Sequence, residues 1–166
     1  IIIGLLLTGE HYVFYFQERI GYRNRSFKMW KFATMLKNSP NLPGGMHTTR
    51  NDPRVLPMGG FLRKTKINEI PQLVNILKGD MSFVGPRPLI SSELRAHRLR
   101  LENGVYRFRP GLTGWAQVNG RDDISLLKKM KYDKEYCDNW SIGLDIKIML
   151  RSIKVCVKRE GYQEGK

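Results

Sequence analysis

The most constraining feature of this chain is the stretch that joins a short amphipathic helix to an arginine enclosed by two prolines. Ile70, Val74 and Leu77 recur at helical spacing. Gly79 suits the position just after a helix end. The Gly-Pro-Arg-Pro sequence at residues 85–88 cannot lie inside a helix or a central strand, because each proline lacks an amide N–H and fixes its backbone φ angle. The stretch therefore predicts a helix, a turn, a short strand and a rigid loop, in that order.

The start of this helix carries the polar groups of a candidate anion site. Asn68 and Glu69 fall at its expected first turn, where unpaired backbone N–H groups attract anions. Asn68 is equally typical of a structural N-cap, and Glu69 of a carboxylate that complements the helix dipole. Arg63 and Arg87 favour an anion site over a purely structural helix start, because they add positive charge. A guanidinium can also hold two phosphate oxygens at once. We therefore expect a phosphoryl-transfer site.

The strong positive charge of the chain points to a polyanionic partner. The 166 residues fit a single domain, and 29 lysines and arginines against 15 aspartates and glutamates give a formal net charge of +14. Phosphorylated substrates, an anionic membrane surface and nucleic acid all fit that charge. A nucleic-acid-binding module is the weakest alternative, because aromatic side chains are not interleaved with the basic residues. Cys137 and Cys156 show no metal-ligand spacing and are expected to be buried, reduced thiols.

The rest of the chain predicts an α+β fold that is mostly helical. Residues 13–17 and 27–32 are rich in aromatic side chains and flank a turn at residues 21–25, which indicates a small β-hairpin. Amphipathic helices are expected over residues 91–105, 125–137 and 144–158. In the first of these, Leu94 and Leu101 mark the apolar face.

The last predicted helix carries Ile146, Leu150 and Ile153 on an apolar stripe, with basic side chains such as Lys147 and Arg151 assigned to the opposite side. A helix of this kind packs against a core or lies in a membrane interface. For a single helix of this kind, packing against a core is the more common arrangement. Several basic amphipathic helices in one small chain favour the interface.

The first seven residues, three isoleucines and three leucines around a glycine, are too short to span a bilayer. They fit a buried strand or the end of a longer membrane segment. We favour the membrane segment, because three isoleucines at the start of the chain have nothing before them to pack against. Residues 1–13 are therefore expected to be the remnant of an N-terminal membrane (re-entrant) segment, and residues 14–166 the catalytic domain.

Residues 109–121 form a loop punctuated by glycines that also carries Trp115. It can be a surface turn, but close approach of backbone to a ligand explains the glycines better, with Trp115 as a stacking or membrane-interface side chain. Asp133 and the two aspartates at residues 122–123 are candidate ligands for a divalent cation. The pair at 122–123 is equally typical of the start of the next helix.

Five stretches then carry a family resemblance, in the expected order and spacing. They are residues 16–21, 31–35, 51–73, 78–88 and 110–121. Together they resemble the catalytic domain of the bacterial sugar transferases, the monotopic phosphoglycosyl transferases, over nearly the whole chain after residue 14. The resemblance implies a membrane-associated enzyme at the cytoplasmic face of the bacterial inner membrane. Such an enzyme uses Mg²⁺ to transfer a sugar-1-phosphate from a UDP-sugar to undecaprenyl phosphate, releasing UMP, and so starts O-antigen, capsule or exopolysaccharide synthesis.

The resemblance also implies roles for single residues. Members of the family use an Asp-Glu pair, in which the aspartate attacks the phosphorus that bears the sugar and the lipid phosphate then displaces it. Glu69 matches the glutamate of that pair. The phosphate-binding arginines match Arg63, Arg87 and Arg121.

Two positions depart from the family pattern. Asn68 stands where the nucleophilic aspartate is expected, and Ala33 where an arginine is usual. An amide cannot form an acyl phosphate, which leaves three accounts: a disabling substitution, a natural enzyme that uses Glu69 as nucleophile or base, or an impaired homologue that binds substrates without turnover. We rank the second account first, because phosphoryl transfer depends largely on positioning and charge.

Overall fold

The computed structural model of the protein describes residues 1–8, 10–43, 52–120 and 123–158. In these ranges the helices are α1 (Ile2–Thr8), α2 (Gly59–Lys64), α3 (Gln72–Leu77), α4 (Leu94–Glu102), α5 (Trp115–Val118), α6 (Leu126–Asp138) and α7 (Ile142–Lys158). The strands are β1 (Phe14–Ile20), β2 (Ser26–Phe32), β3 (Ser82–Val84) and β4 (Gly111–Thr113). About half of the described residues are helical, so the α+β class predicted from the sequence is confirmed.

The chain folds into two compact units, each described here by itself. The first unit contains residues 1–17 and 30–72, and the second contains residues 18–29 and the described residues from 73 onward. Helices α1 and α2 belong to the first unit. Strands β3 and β4 and helices α4 to α7 belong to the second.

Strands β1 and β2 pair as the hairpin that the sequence predicts. On one face the ring of Phe14 stacks on Phe32 with 5.6 Å between centroids, and Phe16 meets Trp30 edge-on at 4.8 Å. Aromatic pairs of this kind contribute about 0.5–1.5 kcal/mol beyond the burial of their area. The turn between the strands contains Arg23 with a left-handed backbone (φ 55).

In the first unit, α2 is seated on the segment that follows β2. The Leu56 N–H donates to the Thr34 carbonyl over 3.0 Å. Gly59 begins α2 so close to the same carbonyl that a Cβ there would lie 2.1 Å from its oxygen. Because glycine has no Cβ, the helix can approach, and Leu62 is then fully buried.

The apolar start of the chain is a helix, α1, and the strand alternative is wrong. Leu5 is fully buried, whereas Ile3 and Leu7 are 73 % and 77 % exposed. Within the ranges that the structure describes, no helix is long and apolar enough to cross a membrane. The assignment of residues 1–13 to a membrane segment stays a prediction.

The core of the second unit fixes strand β3. Its buried members are Val84, Val105, Tyr136, Cys137 and Ile148. Strands β3 and β4 run parallel, with Ser82 opposite Gly111 and Val84 opposite Thr113. Since β3 ends at Val84, the Gly-Pro-Arg-Pro loop starts from a strand that is held on its buried side by the core.

Helix α7 buries a different face from the one expected. Ile148 is fully buried, whereas Ile146, Leu150 and Ile153 are between 48 % and 64 % exposed. The apolar stripe predicted from the sequence therefore faces away from the core. At 100° per residue, the basic side chains lie between the two apolar faces and not opposite the stripe.

Helix α4 departs from the prediction in the same way. Leu94 and Leu101, expected in the core, are 75 % and 56 % exposed. Ala96 and Arg100 face inward and are each 3 % exposed. A buried arginine is tolerated here because Asp133 on α6 neutralises it.

Candidate active site

Asn68 lies inside a single 3₁₀ turn, Ile67–Glu69, and not at the N-cap that the sequence predicts. The residue before this turn, Lys66, has a left-handed backbone (φ 63) and makes no side-chain cap. Asn68 is 9 % exposed, and its Oδ1 accepts no hydrogen bond from the residues that the structure describes. Leaving a buried amide oxygen without a donor costs about 1–3 kcal/mol. Position 68 thus holds a polar group that packing alone does not explain.

Arg63 and Glu69 lie on either side of Asn68 along the same stretch of the first unit. Arg63 belongs to the last turn of α2, which is in contact with the 3₁₀ turn that contains Glu69. The Thr65 hydroxyl donates to the Phe61 carbonyl over 2.9 Å where α2 ends. Arg63 and Glu69 are both half-buried. The first unit therefore gathers a guanidinium, an amide and a carboxylate within seven consecutive positions, 63 to 69.

The Gly-Pro-Arg-Pro loop of the second unit is fixed through its carbonyl groups. Four consecutive carbonyl oxygens accept from four different donors: Pro86 from the Gly111 N–H at 3.0 Å, Arg87 from Arg100 Nη1 at 2.6 Å, Pro88 from Arg19 Nη1 at 3.1 Å and Leu89 from the Ile20 N–H at 2.9 Å. Gly85, Pro86 and Pro88 are buried, and Arg87 is exposed. The loop presents one guanidinium to solvent from an anchored backbone.

The glycines of the 109–121 loop serve a contact between two backbone segments. A Cβ at Gly111 would lie 2.1 Å from the Gly85 nitrogen, and one at Gly114 would lie 2.1 Å from the Gly85 oxygen. Contact with Gly85 accounts for glycine at these two positions, and the predicted approach of backbone to a ligand stays a prediction. The glycines let β4 and the following turn press against the start of the Gly-Pro-Arg-Pro loop.

Trp115 is a packed side chain of the second unit. Lys147 Nζ and Arg151 Cζ lie 5.6 Å and 5.3 Å from the centroid of its ring. Tyr132 meets the ring edge-on at 6.4 Å. Cations over an aromatic face are attracted by its quadrupole, so these contacts attach α5 to α7. The ring of Trp115 is thus in contact with two basic side chains, and its predicted role as a stacking or membrane-interface side chain stays a prediction.

Of the candidate metal ligands, Asp133 is engaged in a buried ion pair. Asp133 is 2 % exposed and pairs with Arg100 at 2.7 Å. Burial raises the pKa of Asp133, and the positive charges of Arg100 and Lys129 oppose that rise. Among the described residues, no three His, Cys, Asp or Glu side chains form a metal-binding group. Arg121 and Asp122 lie outside those residues, and their predicted roles stay predictions.

The types of oxygen atom at positions 68 and 69, an amide and a carboxylate, suit a Mg²⁺ ion. Mg²⁺ in proteins is often held by one or two side chains together with substrate phosphates and water, so a three-residue cluster is not required. Asn68 Oδ1 is a buried oxygen without a donor among the described residues, and Glu69 follows it directly. An amide oxygen and a carboxylate are the hard donors that this ion prefers.

Three anchoring side chains were missed by the sequence analysis. Arg100, Arg19 and Asn75 were given no role there. Asn75 is fully buried and donates through Nδ2 to the Lys28 carbonyl over 2.8 Å. Arg19 falls within a stretch that carries the family resemblance, which was the one available signal for it.

The sequence profile of the bacterial sugar transferase family matches residues 1–159 of this chain. The chain belongs to the bacterial sugar transferase family. The profile covers both units, and with them every position from Arg63 to Arg121 that the sequence analysis selected. The prediction that the chain is a sugar-phosphate transferase enzyme is confirmed.

Three relatives illustrate the sequence identity of the transferase and the share of each chain that the similarity covers. The exopolysaccharide production protein ExoY of Sinorhizobium fredii is 39 % identical over 165 residues, 90 % of this chain and 73 % of that protein. The undecaprenyl-phosphate glucose phosphotransferase of Komagataeibacter xylinus is 39 % identical over 92 % of this chain and 30 % of that protein. The UDP-glucose:undecaprenyl-phosphate glucose-1-phosphate transferase of Escherichia coli is 39 % identical over 98 % of this chain and 36 % of that protein. The transferase thus spans most of one relative and about a third of two longer ones.

Proposed function

We propose that the transferase moves a sugar-1-phosphate from a UDP-sugar to undecaprenyl phosphate and releases UMP. The observation that carries the proposal is the exposed guanidinium of Arg87 on a loop whose flanking prolines are buried and whose carbonyl groups are anchored. A fixed guanidinium can hold two phosphate oxygens. The names of two relatives support undecaprenyl phosphate as acceptor, and one of them supports a UDP-sugar as donor.

The reaction joins the acceptor phosphate to the phosphorus that bears the sugar. An oxygen of undecaprenyl phosphate forms a bond to that phosphorus, and the bond to the UMP oxygen breaks, so that UMP leaves with the electron pair. Arg63, Arg87 and Arg121 are assigned to the donor diphosphate, where they neutralise the charge that develops on UMP. Arg121 is assigned from the family resemblance alone.

Glu69 is the reacting carboxylate in this proposal, because the amide of Asn68 cannot form an acyl phosphate. As a nucleophile, Glu69 would carry the phosphosugar until the lipid phosphate displaces it. As a base, it would take a proton from the lipid phosphate before direct attack. Asn68 is assigned to substrate contact through its Nδ2, which can donate to a phosphate oxygen, whereas its buried Oδ1 has no donor among the described residues and is left for a metal ion.

The same observation supports one alternative function. If the reaction requires a carboxylate at position 68, the chain binds nucleotide sugar or lipid phosphate without turnover. The unused oxygen of Asn68 then marks the place of a lost nucleophile. The two functions differ in a single property, which is lipid-dependent release of UMP.

We assign a Mg²⁺ ion to the same turn. When bound, it supplies positive charge that neutralises the donor phosphates. Glu69 and Asn68 Oδ1 are the oxygen atoms of this chain that would hold it.

The outward stripe of α7 supports membrane association. We define the α7 stripe as Ile142, Ile146, Met149, Leu150 and Ile153, all at least 39 % exposed. Basic side chains of the same helix lie next to it. A helix with an outward apolar stripe and a basic edge is suited to the surface of an anionic bilayer. We assign the transferase to the cytoplasmic face of the bacterial inner membrane, where undecaprenyl phosphate would reach it.

Release of UMP tests the enzymatic function. The protein in detergent micelles is mixed with a panel of UDP-sugars, with and without undecaprenyl phosphate and Mg²⁺. We expect UMP from at least one UDP-sugar only when the lipid is present. UMP release that ignores the lipid would indicate hydrolysis, and binding of UDP-sugar with no UMP from any member of the panel would favour the impaired alternative.

Flotation with vesicles tests the α7 stripe. The variant Ile146→Ser/Leu150→Ser/Ile153→Ser is compared with Leu94→Ser/Leu101→Ser/Leu127→Ser, which removes exposed apolar side chains from α4 and α6. On phosphatidylglycerol vesicles we expect the α7 variant to bind about tenfold more weakly, since each lost side chain forfeits burial free energy. Equal binding of the two variants, or competition by an oligonucleotide at moderate salt, would contradict the assignment.

A further inference from the structure

Arg100 and Asp133 form a buried ion pair that joins α4 to α6. Arg100 Nη2 lies 2.7 Å from Asp133 Oδ2, and the two side chains are 4 % and 3 % exposed. Burying two charges is costly, and replacing such a pair by apolar side chains often leaves a protein equally stable or more stable. A gain in stability alone therefore does not explain why the chain contains this buried ion pair.

The second arm of the Arg100 guanidinium reaches the Gly-Pro-Arg-Pro loop. Its Nη1 donates to the carbonyl oxygen of Arg87 over 2.6 Å. Because a guanidinium is planar and rigid, the contact with Asp133 also sets the direction of the bond to Arg87. One buried cation thus links α6 to the peptide group of the exposed arginine.

We propose that Arg100 and Asp133 are positioning residues that hold Arg87 in the orientation in which its guanidinium grips the diphosphate of the donor. This inference rests on the proposed function, since it requires Arg87 to bind phosphate. Pro86 and Pro88 have no amide N–H, so the loop cannot compensate with backbone donors of its own on either side of Arg87.

The hydrogen bonds on either side of Arg87 determine how much of the loop moves when Arg100 is lost. The carbonyl groups of Pro86 and Pro88 are held by Gly111 and Arg19, so both ends of the loop stay attached. Without Arg100 only the central peptide group is released. We therefore expect a local loosening around Arg87 and not the displacement of the whole loop.

The variant Arg100→Met/Asp133→Leu separates positioning from stability. It removes both buried charges, keeps apolar volume at both positions, and deletes the donor to Arg87. The matched control is Arg107→Met/Asp138→Leu, which removes an exposed pair with the same residue types that joins the 3₁₀ turn Val105–Arg107 to the last residue of α6. In that pair the N–O distance is 3.2 Å and the side chains are 59 % and 42 % exposed.

The measurements are UDP affinity by calorimetry and hydrogen exchange of a peptide covering residues 85–91. For the Arg100→Met/Asp133→Leu variant we expect unfolding by urea near the wild-type midpoint, faster exchange in that peptide, and UDP binding weaker by about tenfold, as expected for a displaced binding group. The control variant should match wild type in exchange and in UDP affinity. Arg87→Ala is measured alongside.

Two results would overturn the inference in different ways. Wild-type UDP affinity and exchange in the Arg100→Met/Asp133→Leu variant, with weak binding by Arg87→Ala, would remove the positioning role and leave the proposed function intact. Unchanged UDP affinity in Arg87→Ala would remove the phosphate role of Arg87 itself, and the positioning role with it.

A second variant keeps the test decisive if the double variant does not fold. Asp133→Asn leaves Arg100 an oxygen acceptor but removes its counter-charge. We expect faster exchange over residues 85–91 and an intermediate loss of UDP affinity. Asp133→Asn with wild-type values for both measurements would show that the orientation of Arg100 does not depend on the carboxylate, which overturns the role given to Asp133.

Discussion

Asn75 donates through its side-chain Nδ2 to the carbonyl oxygen of Lys28, 47 positions away, over 2.8 Å. The same Nδ2 lies 3.1 Å from Asp80 Oδ2, and the Asn75 carbonyl accepts from the Asp80 and Met81 N–H groups. One fully buried side chain therefore ties β2 to the turn that enters β3. The loop that carries Arg87 begins directly after that strand.

Asn75→Ala is expected to destabilise the protein by about 1–3 kcal/mol, because it removes a fully buried side chain together with the hydrogen bond that this side chain donates to the Lys28 carbonyl. Asn139→Ala is the control, since Asn139 is exposed and its Nδ2 contacts only the carbonyl four residues earlier. That change should stay within about 0.5 kcal/mol. Urea unfolding measures both. Equal midpoints for the two variants would show that the Asn75 contact contributes nothing.

Replacing each of two adjacent glycines in α2 by alanine should change the stability of the protein in opposite directions. A Cβ at Gly59 would lie 2.1 Å from the Thr34 carbonyl oxygen, whereas one at Gly60 would meet nothing within 4 Å. Gly59→Ala should cost about 1–3 kcal/mol through overpacking. Gly60→Ala should stabilise by up to about 1 kcal/mol, because alanine favours the helix. Thermal unfolding gives both shifts, and a shift of the same sign in both variants would contradict this packing of α2.

The two cysteines should differ sharply toward iodoacetamide. Burial, together with the negative charge of Asp133, raises the pKa of the Cys137 thiol to about 12. At pH 8 its thiolate fraction is then about one part in ten thousand, and its burial hinders access as well. Cys156 is exposed. We expect one alkylated site by mass spectrometry in the native protein, two in urea and none in native Cys156→Ser. Native labelling of Cys137 would show that the core around α6 opens readily.

Arg87→Ala should lower lipid-dependent UMP release by about 10²-fold, the usual effect of removing one donor that stabilises developing charge. Arg87→Lys should recover only part of it, because an ammonium is a point charge and not a fork. Arg95→Ala, at an exposed position of α4, is the control for loss of one positive charge. If lysine matches arginine at position 87, the geometry of the guanidinium does not matter there.

Glu69→Gln should remove lipid-dependent UMP release while leaving the fold intact, because it keeps the shape of the side chain and removes its ionisation. Persistent turnover in this variant would exclude Glu69 as the reacting carboxylate. Asn68→Asp provides the comparison. A strong gain of activity, with a phosphosugar adduct on residue 68 detected by mass spectrometry, would identify the chain as the impaired homologue.

Sequence patterns correctly predicted the elements that depend on neighbouring residues, such as a hairpin and a capped helix start. The hairpin followed from two aromatic segments around a turn, and α6 begins one residue after Ser125, whose hydroxyl accepts from the Lys128 N–H as an N-cap. The same reasoning failed at Asn68. The left-handed backbone of Lys66 starts a 3₁₀ turn two residues earlier than the capping pattern indicates, and sequence preferences do not reveal that conformation.

Sequence patterns could not predict the contacts around the candidate site, because these contacts join residues that are far apart in the sequence. Arg100 can be buried because Asp133, 33 positions away, neutralises it. Helix α7 was misread for another reason. Leucines and isoleucines occur on both of its apolar sides, so periodicity could not decide which side meets the core.

The two apolar sides of α7 affect different properties of the molecule. Ile148 contributes to the free energy of unfolding, whereas Ile146 and Ile153 leave the core untouched. If the α7 stripe binds a lipid surface as proposed, substitutions on the outward side change how long the enzyme resides there without changing how firmly it folds. On that proposal, natural selection or a protein engineer can tune the transferase to bilayers of different composition at these positions.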